Sequence, residues 1–232
     1  MITELTTKQD RLLVYIIVPI VVFFFGGTLF YGAYYTLAAV QPERVASIPL
    51  GQITFGIYIM IAVMEWALAI SIIRRLRRVG GSVMDLVAPQ GDPWRFRWLP
   101  AVLVFVGFNG LMAVFMTFLR ALQGAPVYEG LHFWQRVLFI VIIPITAGFC
   151  EELIWRGYVI PRLEARGRSR WAVIALAALS FALIHSPLHW PLTFLIGLLA
   201  GYYYTRERNL VPLMISHAVS DLWSFGWFLF LL

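Results

Sequence analysis

VLFIVIIPITAGFCEELIWRGY occupies residues 137–158, and its reading decides the fold. A helix needs about 20 mainly apolar residues to cross the hydrocarbon layer of a bilayer. This stretch is long enough, yet it carries two adjacent carboxylates, Glu151 and Glu152, and then Arg156 one turn later. A charged side chain at the centre of a bilayer costs about 2.5–3.5 kcal/mol on insertion scales. Two adjacent acids in such a place call for a reason, and later segments offer partners: His185, His217 and Asp221.

Composition sets the same frame. Of the 232 residues 61% are hydrophobic and 13% charged, whereas a soluble domain carries about 25% charged residues. The chain reads as a polytopic membrane protein. Its single Cys rules out a disulfide framework and any multi-Cys metal site. The formal charge of +6 does not point to nucleic acid, because the basic residues sit in short loops between apolar runs. The first apolar run is far longer than a signal-peptide core, so no cleavable signal is expected. With no repeat and no low-complexity linker, residues 1–232 form one integral-membrane domain.

Apolar runs of spanning character cover 12–40, 50–73, 98–119, 137–158, 171–187, 191–205 and 210–231. The first is expected to kink or loosen near Gly26-Gly27. The fifth and sixth are short and meet at Ser186-Pro187-Leu188-His189-Trp190-Pro191, a tight turn or a partly re-entrant segment. The expected fold is therefore all-α, a transmembrane helical bundle of about seven spans, within a range of six to eight. Charge orients it. With Lys8 and Arg11 cytoplasmic, the arginines of 74–97, 162–170 and 206–208 fall on the same side, leaving Arg44, Arg120 and Arg136 opposite. The positive-inside rule then places the N-terminus in the cytoplasm.

Depth brings the polar residues together. Counted from the cytoplasmic ends of their helices, Glu151 lies about 15 Å down, His185 about 21 Å, His217 about 10 Å and Asp221 about 16 Å. Three helices thus place ionisable groups in one layer. Glu152 and Arg156 are spaced for an ion pair, with Glu on the favourable N-terminal side. Glu151 is turned about 100° away and faces something else. Neutralising Arg156 would account for one acid but does not require two.

Burial disfavours a charged carboxylate and a nearby cation favours it, which is the tuning that general acid–base catalysis near neutral pH requires. Glu151 and His185 suit the holding and deprotonation of a water. His217 and Asp221, four apart on one face, suit an oxygen that turns negative when a carbonyl is attacked. The alternative is that the histidines only hydrogen-bond between helices. Phe181, four before His185, reads as packing that sets the ring's orientation. His189 reads as interfacial and His132 as a loop residue. HExxH is absent, Gly80-Gly81-Ser82 lies in a basic loop, and no Gly-x-Gly-Asp occurs in a span. Cys150 reads as a small buried hydrophobe. The first three spans carry nothing diagnostic.

These residues resemble three motifs of one family. Glu151-Glu152-Leu-Ile-Trp-Arg156-Gly157-Tyr158 looks like the EExxxR motif of the CPBP membrane proteases (CAAX protease and bacteriocin-processing, also called the ABI family). Phe181-Ala-Leu-Ile-His185 is similar to their FxxxH motif, and His217-Ala-Val-Ser-Asp221 to their HxxxN/D motif. Gly197-Leu-Leu-Ala-Gly201-Tyr202 with Leu210-Val-Pro212 resembles the stretch before the last motif. Each motif alone is weak; all three in order, inside apolar spans, are specific. The likeness covers a protease-like core of about 135–225.

The resemblance implies an intramembrane endopeptidase of CAAX type. It would cut a peptide bond near the cytoplasmic face of a prokaryotic cell membrane, on a peptide or protein substrate that is prenylated or otherwise membrane-associated. Carried over, Glu151 is the water-activating base aided by His185, His217 and Asp221 form the oxyanion site, and Glu152 with Arg156 orients the first carboxylate. Asp221 stands where the eukaryotic branch has Asn, and Asp donates a hydrogen bond only when protonated. No cofactor is favoured. If a metal such as zinc is used, Glu151, His185, His217 and Asp221 are its ligands. Two readings of other classes stay open: a non-catalytic membrane partner, such as an immunity or assembly factor, and a transporter. Substrate identity and oligomeric state are not written in the sequence.

Overall fold

The computed structural model describes residues 12–46, 50–89, 91–123, 130–185 and 187–227, and among them every regular element is helical. The first rod, α1 (12–40), runs Leu12–Ile20, then a π-helical stretch Val21–Phe25, then Gly26–Val40. The loosening expected near Gly26-Gly27 is thus present as a π segment directly before them. There follow α2 (Pro42–Ala46), α3 (Leu50–Arg78), α4 (Met84–Val87), α5 (Trp98–Gln123) and α6 (Phe133–Ala165). The remainder comprises α7 (Arg170–Ala182), a 3₁₀ turn Pro187–His189, α8 (Trp190–Glu207) and α9 (Val211–Trp227).

Each expected apolar run is mainly helical in its described part, though the fifth leaves the helix after Ala182 and the seventh begins its helix at Val211. Among the described residues three stretches are long and apolar enough to cross a membrane: Gly51–Arg78, Trp98–Phe115 and Phe133–Ala165. Leu12–Phe23 and Arg170–Ala182 are shorter apolar helices. Lys8 and Arg11, on which part of the orientation rests, and Ser186, in the expected tight turn, lie outside the described residues. Large apolar side chains cover the outside, among them Phe133 (83% exposed) and Val114 (73%). Water would penalise such a surface and lipid does not. The chain is an all-helical membrane protein.

The long helix α6 is not regular, and proline explains why. Pro144 and Pro161 offer no N–H to the helix ladder, and each ring crowds the carbonyl four residues back. The backbone answers with wider turns on the N-terminal side of both. Leu138–Ile142 and Glu152–Val159 are π-helical. The second π segment begins at the second carboxylate, so the 100° step between Glu151 and Glu152 expected of a regular helix does not carry through the motif.

Arginine-rich turns gather at one end of the bundle. Leu210 N–H donates to Val87 O at 2.8 Å, and Asn209 Nδ2 donates to Pro93 O at 2.8 Å. Arg208 grips both oxygens of Glu164 at 2.8 and 2.6 Å, and those hydrogen bonds hold its guanidinium above an already high pKa. Arg97 reaches Glu207 at 3.3 Å, and Arg170 Nε reaches Thr205 Oγ1 at 3.1 Å. The three loops expected to share a membrane face therefore do share an end. At the other end Gln52 donates to Gly130 O at 2.7 Å.

Between the ends lies the main apolar core, which includes Tyr15, Ile72, Phe108, Trp155, Phe181 and Tyr204, beside a smaller cluster around Leu131 and Phe139. Two glycines let its helices meet. A Cβ on Gly148 of α6 would lie 2.8 Å from the backbone nitrogen of Ala218 and 2.9 Å from Met214 O, both on α9. A Cβ on Gly197 of α8 would lie 2.9 Å from Ala178 Cα on α7. Backbone cannot give as a flexible side chain can, so the α6–α9 crossing depends on glycine. We expect Gly148→Ala to destabilise the protein by about 1–3 kcal/mol through overpacking, measured by thermal unfolding in detergent. Gly56→Ala, whose new methyl meets nothing within 4 Å, leaves the transition unchanged or slightly raised.

Candidate active site

The α6–α9 crossing sets Glu151 and Glu152 opposite His217 and Asp221. Glu152 is fully buried, while Glu151 and His217 are each 6% exposed. Arg156 Nη1 donates to Glu152 Oε1 at 3.0 Å, the ion pair expected from the spacing. The same oxygen accepts from His217 Nδ1–H at 2.9 Å. Glu152 thus bridges Arg156 on its own helix to His217 on another. Glu152 and Arg156, expected to orient Glu151, are bonded to each other, and Glu152 bonds the imidazole as well.

This bond fixes the imidazole. With Nδ1–H given to Glu152, His217 presents Nε2 to the remaining acids. Nε2 lies 3.6 Å from Glu151 Oε2 and 3.6 Å from Asp221 Oδ2. Glu151 Oε2 is buried and has no hydrogen-bond partner. An acceptor in that condition is costly unless something else satisfies it.

Phe181 and His185 complete the cluster from α7 and the residues just beyond it. His185 Nδ1–H donates to Phe181 O at 2.9 Å, which leaves Nε2 as the acceptor nitrogen. The Phe181 ring stands edge-on to His185 at 4.8 Å and to His217 at 6.1 Å, with the Arg156 guanidinium 4.4 Å from its centroid. Phe181 does set the orientation of His185, through its carbonyl as well as its ring. His185 is near enough to Glu151, His217 and Arg156 for their charges to act on it. All seven expected residues therefore share one region.

The others fall outside it. His132 caps the start of α6, its backbone N–H donating to Gln135 Oε1 at 2.8 Å. His189 packs against Phe115, ring centroids 5.5 Å apart. Cys150 is fully buried as a free thiol. A metal would need several of Glu151, His185, His217 and Asp221 to converge on one point. Among the described residues no three His, Cys, Asp or Glu side chains are grouped to hold an ion, and both histidines bond through Nδ1, which leaves each Nε2 to face the site.

Two neighbours were not singled out from the sequence. Phe108 of α5 packs on His217 at 5.9 Å. More telling is Glu65 of α3, 6% exposed, hydrogen-bonded to Glu151 and within electrostatic reach of Asp221. It is the one acid in the run 50–73. An acid in the middle of a span is a functional candidate by default, and that signal could have found it.

The Glu152–Arg156 pair is also a stability element. Removing one partner of a buried pair leaves a charge uncompensated, at a cost of about 3–5 kcal/mol. Arg156→Leu should therefore reduce the unfolding free energy by that amount, read from denaturation in detergent. Arg206→Leu, exposed in the last helical turn of α8, should change it little.

The family model described as "Rce1-like: Type II CAAX prenyl endopeptidase Rce1-like" matches residues 132–223. That range includes Glu151, Glu152, Arg156, Phe181, His185, His217 and Asp221, and it excludes Glu65 and Phe108. Neither the curated proteins nor the solved structures give a significant match to the chain. Over residues 132–223 the chain is similar to the type II CAAX prenyl endopeptidases that this family model describes.

Proposed function

We propose that this protein is an intramembrane endopeptidase of CAAX type in which Glu151 activates the attacking water. The observation that carries the reading is Glu151 Oε2, a buried acceptor without a partner, held 3.6 Å from His217 Nε2. A water in hydrogen-bond reach of that oxygen would satisfy it and would have a base beside it.

The reaction follows from the groups present. Glu151 takes a proton as the water oxygen bonds to the substrate's carbonyl carbon, and the carbonyl oxygen becomes an oxyanion. His217 Nε2, fixed by the bond from Nδ1 to Glu152, is the donor nearest to that oxygen when protonated. The C–N bond then breaks, and the proton held by Glu151 passes to the leaving amine. His185 Nε2, an acceptor nitrogen, helps hold the water. Asp221 Oδ2 lies 3.6 Å from His217 Nε2 and completes the polar surroundings of that nitrogen. The site's low exposure excludes bulk water and strengthens each of these interactions. No step is routed through a metal ion.

For topology we propose seven spans, with the N-terminus in the cytoplasm and the site reached from the cytoplasmic face. The common end shared by the arginine-rich turns supports this, because positive loops stay inside. Asp at 221 is the form that the bacterial pattern allows, which supports a prokaryotic cell membrane. The substrate is a peptide or protein at that membrane. The family's name points to prenylated CAAX chains.

Protein reconstituted in lipid vesicles and given farnesylated CAAX peptides tests the reading. Wild type cleaves. Glu151→Gln and His217→Ala lose about 10²-fold or more in rate while reaching wild-type abundance. Cleavage by Glu151→Gln at the wild-type rate contradicts the assignment of the base. If the wild type cuts no peptide and its biological effect survives the combined motif mutant, a non-catalytic membrane partner takes its place.

A further inference from the structure

The matched segment does not contain the whole site. Glu65 enters from α3, more than fifty residues before the match begins. Its placement is fixed by its neighbours. Trp66 Nε1–H donates to Thr146 Oγ1 at 3.3 Å, and the Trp66 ring stacks on Phe149 at 5.4 Å. These contacts lock α3 against α6 beside Glu65, so its carboxyl arrives at Glu151 in a set register and not by the swing of a free side chain.

Two carboxyl groups hydrogen-bond only when one of them donates a proton, because an ionised carboxylate is an acceptor alone. The two are not equivalent. Both are within electrostatic reach of Asp221, but Glu151 has His217 Nε2 within 3.6 Å, while Glu65 has Glu151 as its bonded neighbour. Negative charge is favoured beside the imidazole. Glu65 is therefore the donor and Glu151 the acceptor.

We propose that Glu65 is a positioning residue of the hydrolytic site, its carboxyl donating the hydrogen bond that holds Glu151 with Oε2 turned to His217. The proposal rests on the reading of Glu151 as the base. A carboxylate pivots about its last torsion with little resistance, and a base must meet its proton at hydrogen-bond distance. Glu152 does not serve this purpose, since its bonded partners are Arg156 and His217. The α3 helix, outside the recognised segment, thus becomes part of the site.

The test compares wild type, Glu151→Gln, Glu65→Gln and Glu65→Met in vesicles, with farnesylated CAAX peptides as the probe. Gln keeps a donor towards Glu151, and Met keeps the length but donates nothing. Loss of a hydrogen bond to a charged group predicts that Glu65→Met lowers kcat about tenfold or more, with KM within about twofold. Glu65→Gln should stay within about threefold of the wild-type kcat. A purely packing role would not separate the two variants or split kcat from KM. Equal losses in both, or an unchanged kcat in Glu65→Met, overturn the proposal. Infrared difference spectra give a readout independent of turnover: the C=O stretch of a protonated carboxylic acid should vanish in Glu65→Gln. If it does not, Glu65 is not the donor. Wild-type cleavage by Glu151→Gln would remove the reading of the base and this proposal with it, whereas a change confined to the Glu65 variants leaves that reading standing.

Discussion

A carboxylate with no exposure to solvent, Glu152, is the constraint on which the rest of this structure depends. In an apolar interior its charge must be paired and its oxygens hydrogen-bonded. Arg156 supplies the countercharge from the same helix and His217 supplies a second donor from α9. The pairing with His217 can form only if the two helices approach closely, and Gly148 permits that approach. The Phe181 ring closes over the Arg156 guanidinium. Satisfying one buried charge thus decides which helices touch and where.

The same constraint divides the work of two adjacent acids. Glu152 bonds through Oε1, holding an arginine and a tautomer, while its Oε2, like Glu151 Oε2, has no partner. Glu151, one residue earlier, turns Oε2 to the nitrogen that Glu152 has oriented. Similar side chains acquire different roles from their surroundings. The π-helical turn that starts at Glu152 and ends before Pro161 fits this division, since π segments recur where a helix must present functional side chains out of regular phase.

Much of this was legible in the sequence, for identifiable reasons. Apolar run lengths located the helices because lipid leaves the backbone no alternative to internal hydrogen bonding. Charge segregation anticipated which turns would meet, and Arg208 with Glu164 and Arg97 with Glu207 now join them. The spacing of Glu152 and Arg156 gave their ion pair, and depths within one layer of the bilayer gathered Glu151, His185, His217 and Asp221. Other features were not written locally. That Glu152 binds His217 depends on a contact across 65 residues. The irregular turns of α6 arise from Pro144 and Pro161, and regular helical geometry does not anticipate them. Glu65 was visible as an acid in an apolar run, yet it matched no motif, and only packing against Glu151 gives it meaning.

The central claim is that Glu151 serves peptide-bond hydrolysis. It is tested most directly by comparing newly formed peptide termini in membranes that hold wild-type protein or Glu151→Gln at equal abundance. The account predicts a set of termini present with the wild type and missing with the variant. An identical set of termini in both membranes would contradict it.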